Sequence, residues 1–565
     1  MRIRTVLCAS AAAATACALG GVAAGGTSAQ GGDADTYIVL LDPTASSDVA
    51  AQSIQAAGGT VEKVNTSIGV ATVRSTNQDF AQQVRSKPDV QGAALDREIG
   101  RVPDQLRVHR RQRDVEQGPS GAGPAPATVT PKSASTGDPL SSRQWDMQAI
   151  HATIGGSYRV QQGTRDVRVG IIDTGIDGSH PDIAPNFDRG LSQNFTVDDP
   201  VIDGPCASDP DGSCTDPADV DEDGHGTHVA GTIGGALNGI GIAGVAPRVD
   251  LVNLRAGQDS GYFFIQPVVD ALTYAGDHGI DVVNMSFYID PWLYNCASNP
   301  ADSPEEQAEQ QTIIQATQRA LDYARQRGVT LVAAEGNENT DLGRPALDDT
   351  SPDYPSADAA HPRNVDNSCL SEPTEGDGVI GVTATGPSGR KAYYSNYGTE
   401  QADVAAPGGD KRDFYGTDRY LSPTNYVLAP YPESVGRAAG TIGPDGTPTT
   451  AAVVKDTENG QTAYYQYLQG TSMASPHAVG VAALIVSEYG KPDRSQGGLT
   501  LAPDRVENIL EKTATDTPCP SPRLFEYPDP DLPPEYNAYC EGGPKRNGFF
   551  GDGVVDALAA VQARR

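Results

Sequence analysis

Gly470-Thr471-Ser472-Met473-Ala474-Ser475-Pro476-His477 runs directly into an unbroken apolar stretch, residues 478–486. A small-residue turn feeding an apolar helix sets the Ser472 hydroxyl at a helix N-terminus. There, unpaired backbone N–H groups and the positive end of the helix dipole favour developing negative charge. Pro476 suits the first helical turn, where its missing N–H costs nothing. Taken alone, such a serine reads as a helix cap. Two upstream stretches change that reading. Ile171-Ile172-Asp173-Thr174-Gly175 places a carboxylate after a short apolar run. Asp223-Gly224-His225-Gly226-Thr227-His228-Val229-Ala230-Gly231 supplies an imidazole in a second small-residue segment.

In the chain order Asp, His, Ser, these three segments together resemble the subtilase family of serine proteases. The resemblance implies Ser472 as nucleophile, forming an acyl-enzyme on protein or peptide substrates. It implies His225 as the base and Asp173 as the group that fixes its tautomer. Ala333-Ala334-Glu335-Gly336-Asn337 matches the family's oxyanion segment, which makes the Asn337 side-chain amide the expected donor. Ser286, Phe287, Ala334 and Gly336 are the substrate-binding residues implied in the same way. The sequence departs from the family at two places. Phe287-Tyr288 stand where a glycine is usual, and Glu335 stands where a small apolar residue is common. In a strand, Ala334 and Gly336 share one face while Glu335 points to the other. The pocket is therefore expected to take Phe, Leu, Tyr or Met before Lys or Arg, although Asp353 lies near Tyr354-Pro355, a segment the family uses close to the pocket floor. A serine esterase is disfavoured, because G-x-S-x-G is absent around Ser472 and the triad order differs.

The chemistry implied needs no cofactor. The resemblance also implies a structural calcium. Asp182 in Ser179-His180-Pro181-Asp182 would supply a carboxylate, with backbone oxygens of Leu237, Ile240 and Ile242 and the side chain of Asn238. Such hard oxygen ligands suit calcium, but the loop 237–242 is one residue shorter than the calcium-binding form. His228 shares a motif with His225, yet nothing nearby has metal-ligand spacing, so it reads as structural.

Beyond residue 140, short apolar runs (167–172, 250–254, 280–285, 329–334, 379–383) alternate with helical stretches (227–234, 268–278, 311–327, 474–489, 504–512). This alternation predicts an α/β fold, a subtilisin-like catalytic domain over 141–565 whose mainly parallel sheet is covered by helices on both faces. Three long stretches, 192–220, 290–310 and 408–466, read as surface insertions without cores of their own. Residues 36–100 read as β-α-β-β-α-β, a small α+β, ferredoxin-like unit. Its place before the catalytic region is similar to that of the family's inhibitory prodomain, which would make it an intramolecular inhibitor in a zymogen. Residues 101–140 are basic at first and then rich in Gly, Pro, Ala, Ser and Thr, and read as a flexible linker.

Residues 1–29 have a basic start, a short apolar region and a small-residue exit, Thr27-Ser28-Ala29, which predicts a signal peptide and a secreted protein. No later apolar run reaches the roughly 18 residues of a membrane helix. Of eight cysteines, Cys8 and Cys17 fall in the signal. The remaining six suggest three disulfides in an oxidising compartment. Six cysteines allow about 15 pairings, among which close spacing favours Cys206–Cys214 and Cys519–Cys540 and leaves Cys296 with Cys369. The formal charge is −32, almost all of it after residue 140. Such a surface repels nucleic acid. A monomer is expected.

Overall fold

The computed structural model describes residues 34–96, 115–119, 137–200, 202–208, 212–353 and 360–564. The expected signal peptide, most of the 101–140 stretch and Tyr354-Pro355 lie outside the described residues.

The small unit is built from β1 (Asp35–Leu41), α1 (Ser47–Ala56), β2 (Thr60–Asn65), β3 (Val70–Ser75), α2 (Phe80–Arg85) and β4 (Val90–Asp96). Its antiparallel sheet has the order β2-β3-β1-β4. Strand β1 alternates between two cores. Tyr37 and Val39 pack on the unit's own helices, while Ile38 and Leu40 pack on the large domain. That second face is what allows the unit to dock.

The large domain is organised around β5 (Arg168–Ile172), β6 (Gln193–Asn194), β7 (Asp250–Arg255), β8 (Val282–Met285), β9 (Thr330–Ala334), β10 (Val379–Thr385) and β11 (Ala402–Pro407). These form one seven-stranded sheet in the order β11-β10-β9-β8-β5-β7-β6, with the neighbours paired in parallel. Val169 and Ile171 face one core and Ile172 the other. A strand buried on both sides needs an apolar run rather than alternation, which is what 169–172 supplies. The chain leaves β5 for β7 on one side and later returns as β8 on the other. The strand order therefore switches at β5, and its C-terminal end opens into the crevice where such folds carry their sites.

Helices cover both faces. On one side lie α4 (His225–Gly234), α7 (Thr471–Tyr489), α8 (Pro503–Thr513) and, at the domain's start, α3 (Trp145–Ala149). On the other lie α5 (Ile265–Asp277) and α6 (Pro304–Gln326). Helix α7 is buried around its whole circumference through Val486, as an apolar helix in a domain centre must be. Gly480 permits this, because a Cβ there would sit 2.4 Å from Cβ of Val245. Helix α6 starts at a capping box in which Ser303 and Glu306 satisfy each other's backbone N–H groups. The small unit docks on α5 and α6. Lys63 pairs with Asp270 at 2.8 Å, Thr72 donates to Gln266, and Arg319 donates to the carbonyls of Leu41 and Ile68.

Among the described residues three disulfides are present: Cys206–Cys214, Cys296–Cys369 and Cys519–Cys540.

Two expectations need correction. The stretch 408–466 is not a coreless surface insertion. It contributes an antiparallel sheet of β12 (Val427–Pro430), β13 (Val453–Glu458) and β14 (Gln461–Leu468). Its aromatic residues Tyr426, Tyr465 and Tyr467 make a core together with Ile240 and Ile242. Large rings supply the buried area that the few aliphatic residues do not. Nor is 101–140 a linker throughout. Residues 137–140 are already anchored on the catalytic region, where the Leu140 N–H donates to Gly241 and Asp138 accepts from the Gly239 N–H. Residues 115–119 lie in the crevice described next.

Candidate active site

Asp173 directly follows β5 and is fully buried. Its Oδ1 accepts from the Thr174 N–H at 2.8 Å and lies 2.7 Å from Nδ1 of His225, the first residue of α4. The strand end and the helix start meet closely because Gly226 has no side chain. A Cβ there would lie 2.1 Å from the Gly175 carbonyl oxygen. Asp221 fastens the same corner. One oxygen accepts from the Gly224 N–H and the Thr174 hydroxyl, and the other accepts from the N–H and hydroxyl of Thr227. The burial of Asp221, which composition does not report, is what gives it this place.

Ser472 is the second residue of α7, and its hydroxyl reaches the cleft. Ser475 donates to Asn284, whose amide donates to Ser286, so the helix start is tied to the end of β8. His477, one turn further, holds the carbonyl of Met473 through Nδ1 and lies 3.1 Å from Asp146 through Nε2. That contact joins the helix carrying Ser472 to α3. His228 lies fully buried between the carbonyls of Val427 and Gln466. Burial, with His225 close by, pushes it down to about 3, so it is neutral and structural.

Asn337 follows β9 across Gly336. Its Oδ1 accepts both the N–H and the hydroxyl of Thr471, at 2.9 and 3.0 Å. With the oxygen committed there, the Nδ2 of the amide is turned toward Ser472.

The oxygen that receives these donors belongs to Glu116. Its Oε1 accepts from the Ser472 hydroxyl at 2.7 Å and from Asn337 Nδ2 at 2.9 Å, while Oε2 lies 3.7 Å from His225 Nε2. Burial alone would lower the His225 pKa. The Asp173 carboxylate, aided by Glu116 and Asp223, reverses this and pushes it up to about 10.

Beside Ser472 is a recess bordered by Ser286, Phe287, Tyr288, Ala334, Gly336 and Thr374, and by the acidic residues Glu335 and Glu338. The implied substrate-binding residues are thus brought together. The Glu335 side chain lies on the far side of its strand, where a Cβ on Gly381 would come within 2.2 Å of its Oε1. Neither of its oxygens has a hydrogen-bond partner among the described residues, and burial pushes its pKa well above the usual carboxylate range. Asp353 accepts from the Tyr288 hydroxyl at 2.9 Å, and burial pushes it up to about 7.

The residues implied for calcium gather, and N–H and O–H donors reach part of their carboxylate oxygens. Asp182 accepts from the Tyr465 hydroxyl at 2.8 Å and from the Ile242 N–H. The loop presents further N–H groups inward. Gly239 donates to Asp138, Ile240 to the Asn238 side-chain oxygen, and Gly241 to Asp456. Calcium needs carbonyl and carboxylate oxygens facing it. Here the N–H groups of the loop carrying Leu237, Asn238, Ile240 and Ile242 engage one oxygen each of Asp138 and Asp182, while the second oxygen of each is buried without a hydrogen-bond partner among the described residues. Burial pushes Asp182 up to about 8. No sequence signal in the loop itself pointed to Tyr465, which arrives from β14.

The Peptidase S8 (subtilase family) profile matches residues 164–539. The chain belongs to the subtilase family. As a subtilase it is a serine-type peptidase. It is 28% identical over 355 residues to subtilisin DY of Bacillus licheniformis, covering 62% of this chain and 84% of that one. It is 27% identical over 374 residues to thermitase of Thermoactinomyces vulgaris, covering 66% and 90%. Among solved structures, the epidermin leader peptide processing serine protease of Staphylococcus aureus superposes with a TM-score of 0.60 at 20% identity, covering 94% of this subtilase and 99% of that chain. That likeness supports the fold. No helix among the described residues of this subtilase is long and apolar enough to cross a membrane.

Proposed function

We propose that this subtilase is a secreted, monomeric endopeptidase made as a zymogen, and that it hydrolyses peptide bonds of protein or peptide substrates through an acyl-enzyme on Ser472. The observation that carries the reading is convergence on one atom. Ser472 Oγ and Asn337 Nδ2 both address the same carboxylate oxygen, and His225, backed by Asp173, faces the other oxygen of that group. In a substrate complex, an oxygen so placed would be the carbonyl oxygen that becomes the oxyanion. Ser472 would attack the adjoining carbon as His225 takes its proton. Asp173 would stabilise the imidazolium, and Asn337 would stabilise the charge developing on oxygen. His225 would then return the proton to the leaving amine, and water would repeat the sequence on the ester.

The zymogen part of the proposal is supported by the small unit seated on α5 and α6, and secretion by the N-terminal sequence and the three disulfides. The test is intact mass and N-terminal sequencing of the secreted wild type beside Ser472→Ala, with fluorophosphonate labelling of both. The wild type should be processed and labelled. Ser472→Ala should stay full length or hold its small unit, label nowhere and hydrolyse no casein. Casein hydrolysis by Ser472→Ala at the wild-type rate would overturn the assignment.

A further inference from the structure

We propose that Glu116 is a built-in inhibitor of the cleft, its side-chain carboxylate occupying the place of a substrate carbonyl until residues 115–119 are displaced. This rests on the protease reading of Ser472 given above and names a regulator of that site.

The carboxylate satisfies the polar groups that a substrate would need. One oxygen takes the Ser472 hydroxyl and the Asn337 amide, at 2.7 and 2.9 Å. The other faces His225 Nε2, the atom that must be free to accept a proton. An ion pair with the imidazolium holds that proton in place and keeps the base unavailable. The contact is also chemically inert. A carboxylate carbon is a poor electrophile, and attack on it would have to expel oxide, so the serine cannot turn this occupant over as it would an amide.

The segment is held on both sides of Glu116. Val115 is buried in the main core, and its carbonyl accepts from Gln469 Nε2 at 2.9 Å. Pro119 is buried as well. Between them, Gly118 runs so close to β14 that a Cβ there would sit 2.7 Å from the Tyr467 carbonyl oxygen. With its flanks fixed, the carboxylate is delivered with little conformational freedom left to lose. The small unit docks elsewhere, on the outer faces of α5 and α6 through Lys63, Thr72 and Arg319. Removing the Glu116 side chain should therefore open the cleft without releasing the small unit.

The test compares intact, unprocessed full-length chains carrying wild-type sequence, Glu116→Ala and Glu116→Gln. Each is exposed to a fluorophosphonate, and adduct formation is followed by intact mass. Labelling of an occluded site proceeds at the intrinsic rate multiplied by the open fraction. Losing a charge-assisted contact should raise that fraction roughly tenfold or more. Glu116→Ala should label fastest and Glu116→Gln, which keeps an acceptor oxygen without the charge, should fall between. Equal rates in all three chains overturn the proposal. Processed wild-type enzyme is the control that separates the two readings. If it labels while the intact chains do not differ, only the Glu116 proposal fails. If neither processed nor intact chain labels at Ser472, the protease reading fails. Should Glu116→Ala process too fast to be isolated, alkylation by iodoacetamide of Ser472→Cys and of Ser472→Cys with Glu116→Ala reads the same access. A faster reaction in the double variant supports the proposal, and equal rates overturn it.

Discussion

The hydroxyl of Tyr465 donates to the carboxylate of Asp182 across 2.8 Å, joining β14 to a loop more than 280 residues earlier in the chain. A tyrosine side chain there supplies a donor where the family resemblance implied a divalent cation. Stability is therefore expected to be independent of calcium. In a Ser472→Ala background, which prevents autolysis, a chelator should leave the melting temperature unchanged. Tyr465→Phe should lower stability by about 1 kcal/mol, because a buried carboxyl oxygen loses one of its two donors and keeps only the Ile242 N–H. A fall of several degrees on chelation alone would show that a cation is held at Asp182 after all.

Asn337→Ala should reduce kcat by roughly 10²–10³ with little change in KM, the cost that removing one oxyanion donor has in subtilisin. The Asn337 oxygen also holds the N–H and hydroxyl of Thr471. A melting curve must therefore accompany the kinetics. An unchanged kcat in a folded variant would remove Asn337 from the oxyanion role.

Buried carboxyl groups set the pH dependence of stability. Burial is the largest cause that pushes Asp182, Asp281 and Glu372 each up to about 8. In the unfolded chain they titrate near 4. Between those values the folded state binds more protons, so stability falls as pH rises. The His225 pKa, raised to about 10, acts in the same direction above pH 6.5. Unfolding of the Ser472→Ala chain should thus require a higher temperature at pH 5 than at pH 8.5. The reverse order would mean that these carboxyls are ionised in the native state.

Peptide anilides with a large apolar residue before the scissile bond should be preferred to those with arginine. The recess beside Ser472 is bordered by Phe287, Tyr288, Leu293 and Ala334, and also by Glu335 and Glu338. The Glu335 carboxylate reaches toward Gly381, Glu338 accepts from the Asn337 N–H and the Asn396 amide, and Asp353 is engaged by the Tyr288 hydroxyl. A higher kcat/KM for the Arg anilide than for the Phe anilide would assign the pocket to an acidic side chain instead.

The sheet was legible in the sequence because its strands are buried on both faces and appear as bare apolar runs, of which 169–172 is the plainest. The places of Asp173, His225, Ser472 and Asn337 were legible because each sits at the end of such a run or the head of a small-residue helix. What escaped depends on contacts between distant segments. Glu116 lies in a stretch with too few apolar residues to suggest order, and only its arrival at Ser472 gives it a place. Tyr465 looked like one tyrosine of several in an insertion, because alternation within β14 does not say what its buried face meets. Asp221 was hidden for a related reason. A carboxylate that accepts five donors inside a corner has the same composition as one in a solvated loop.

The pairing of Asp146 with His477 also bears on when the molecule can act. These residues stand 331 positions apart, and the helix that carries Ser472 rests on α3 through them. At an elongation rate of roughly 5–20 residues per second, about 15–65 s separate the synthesis of the first from that of the second. Ser472 itself is encoded in the last fifth of the chain. A nascent or prematurely ended polypeptide can hold Asp173 and His225 yet have nothing to activate.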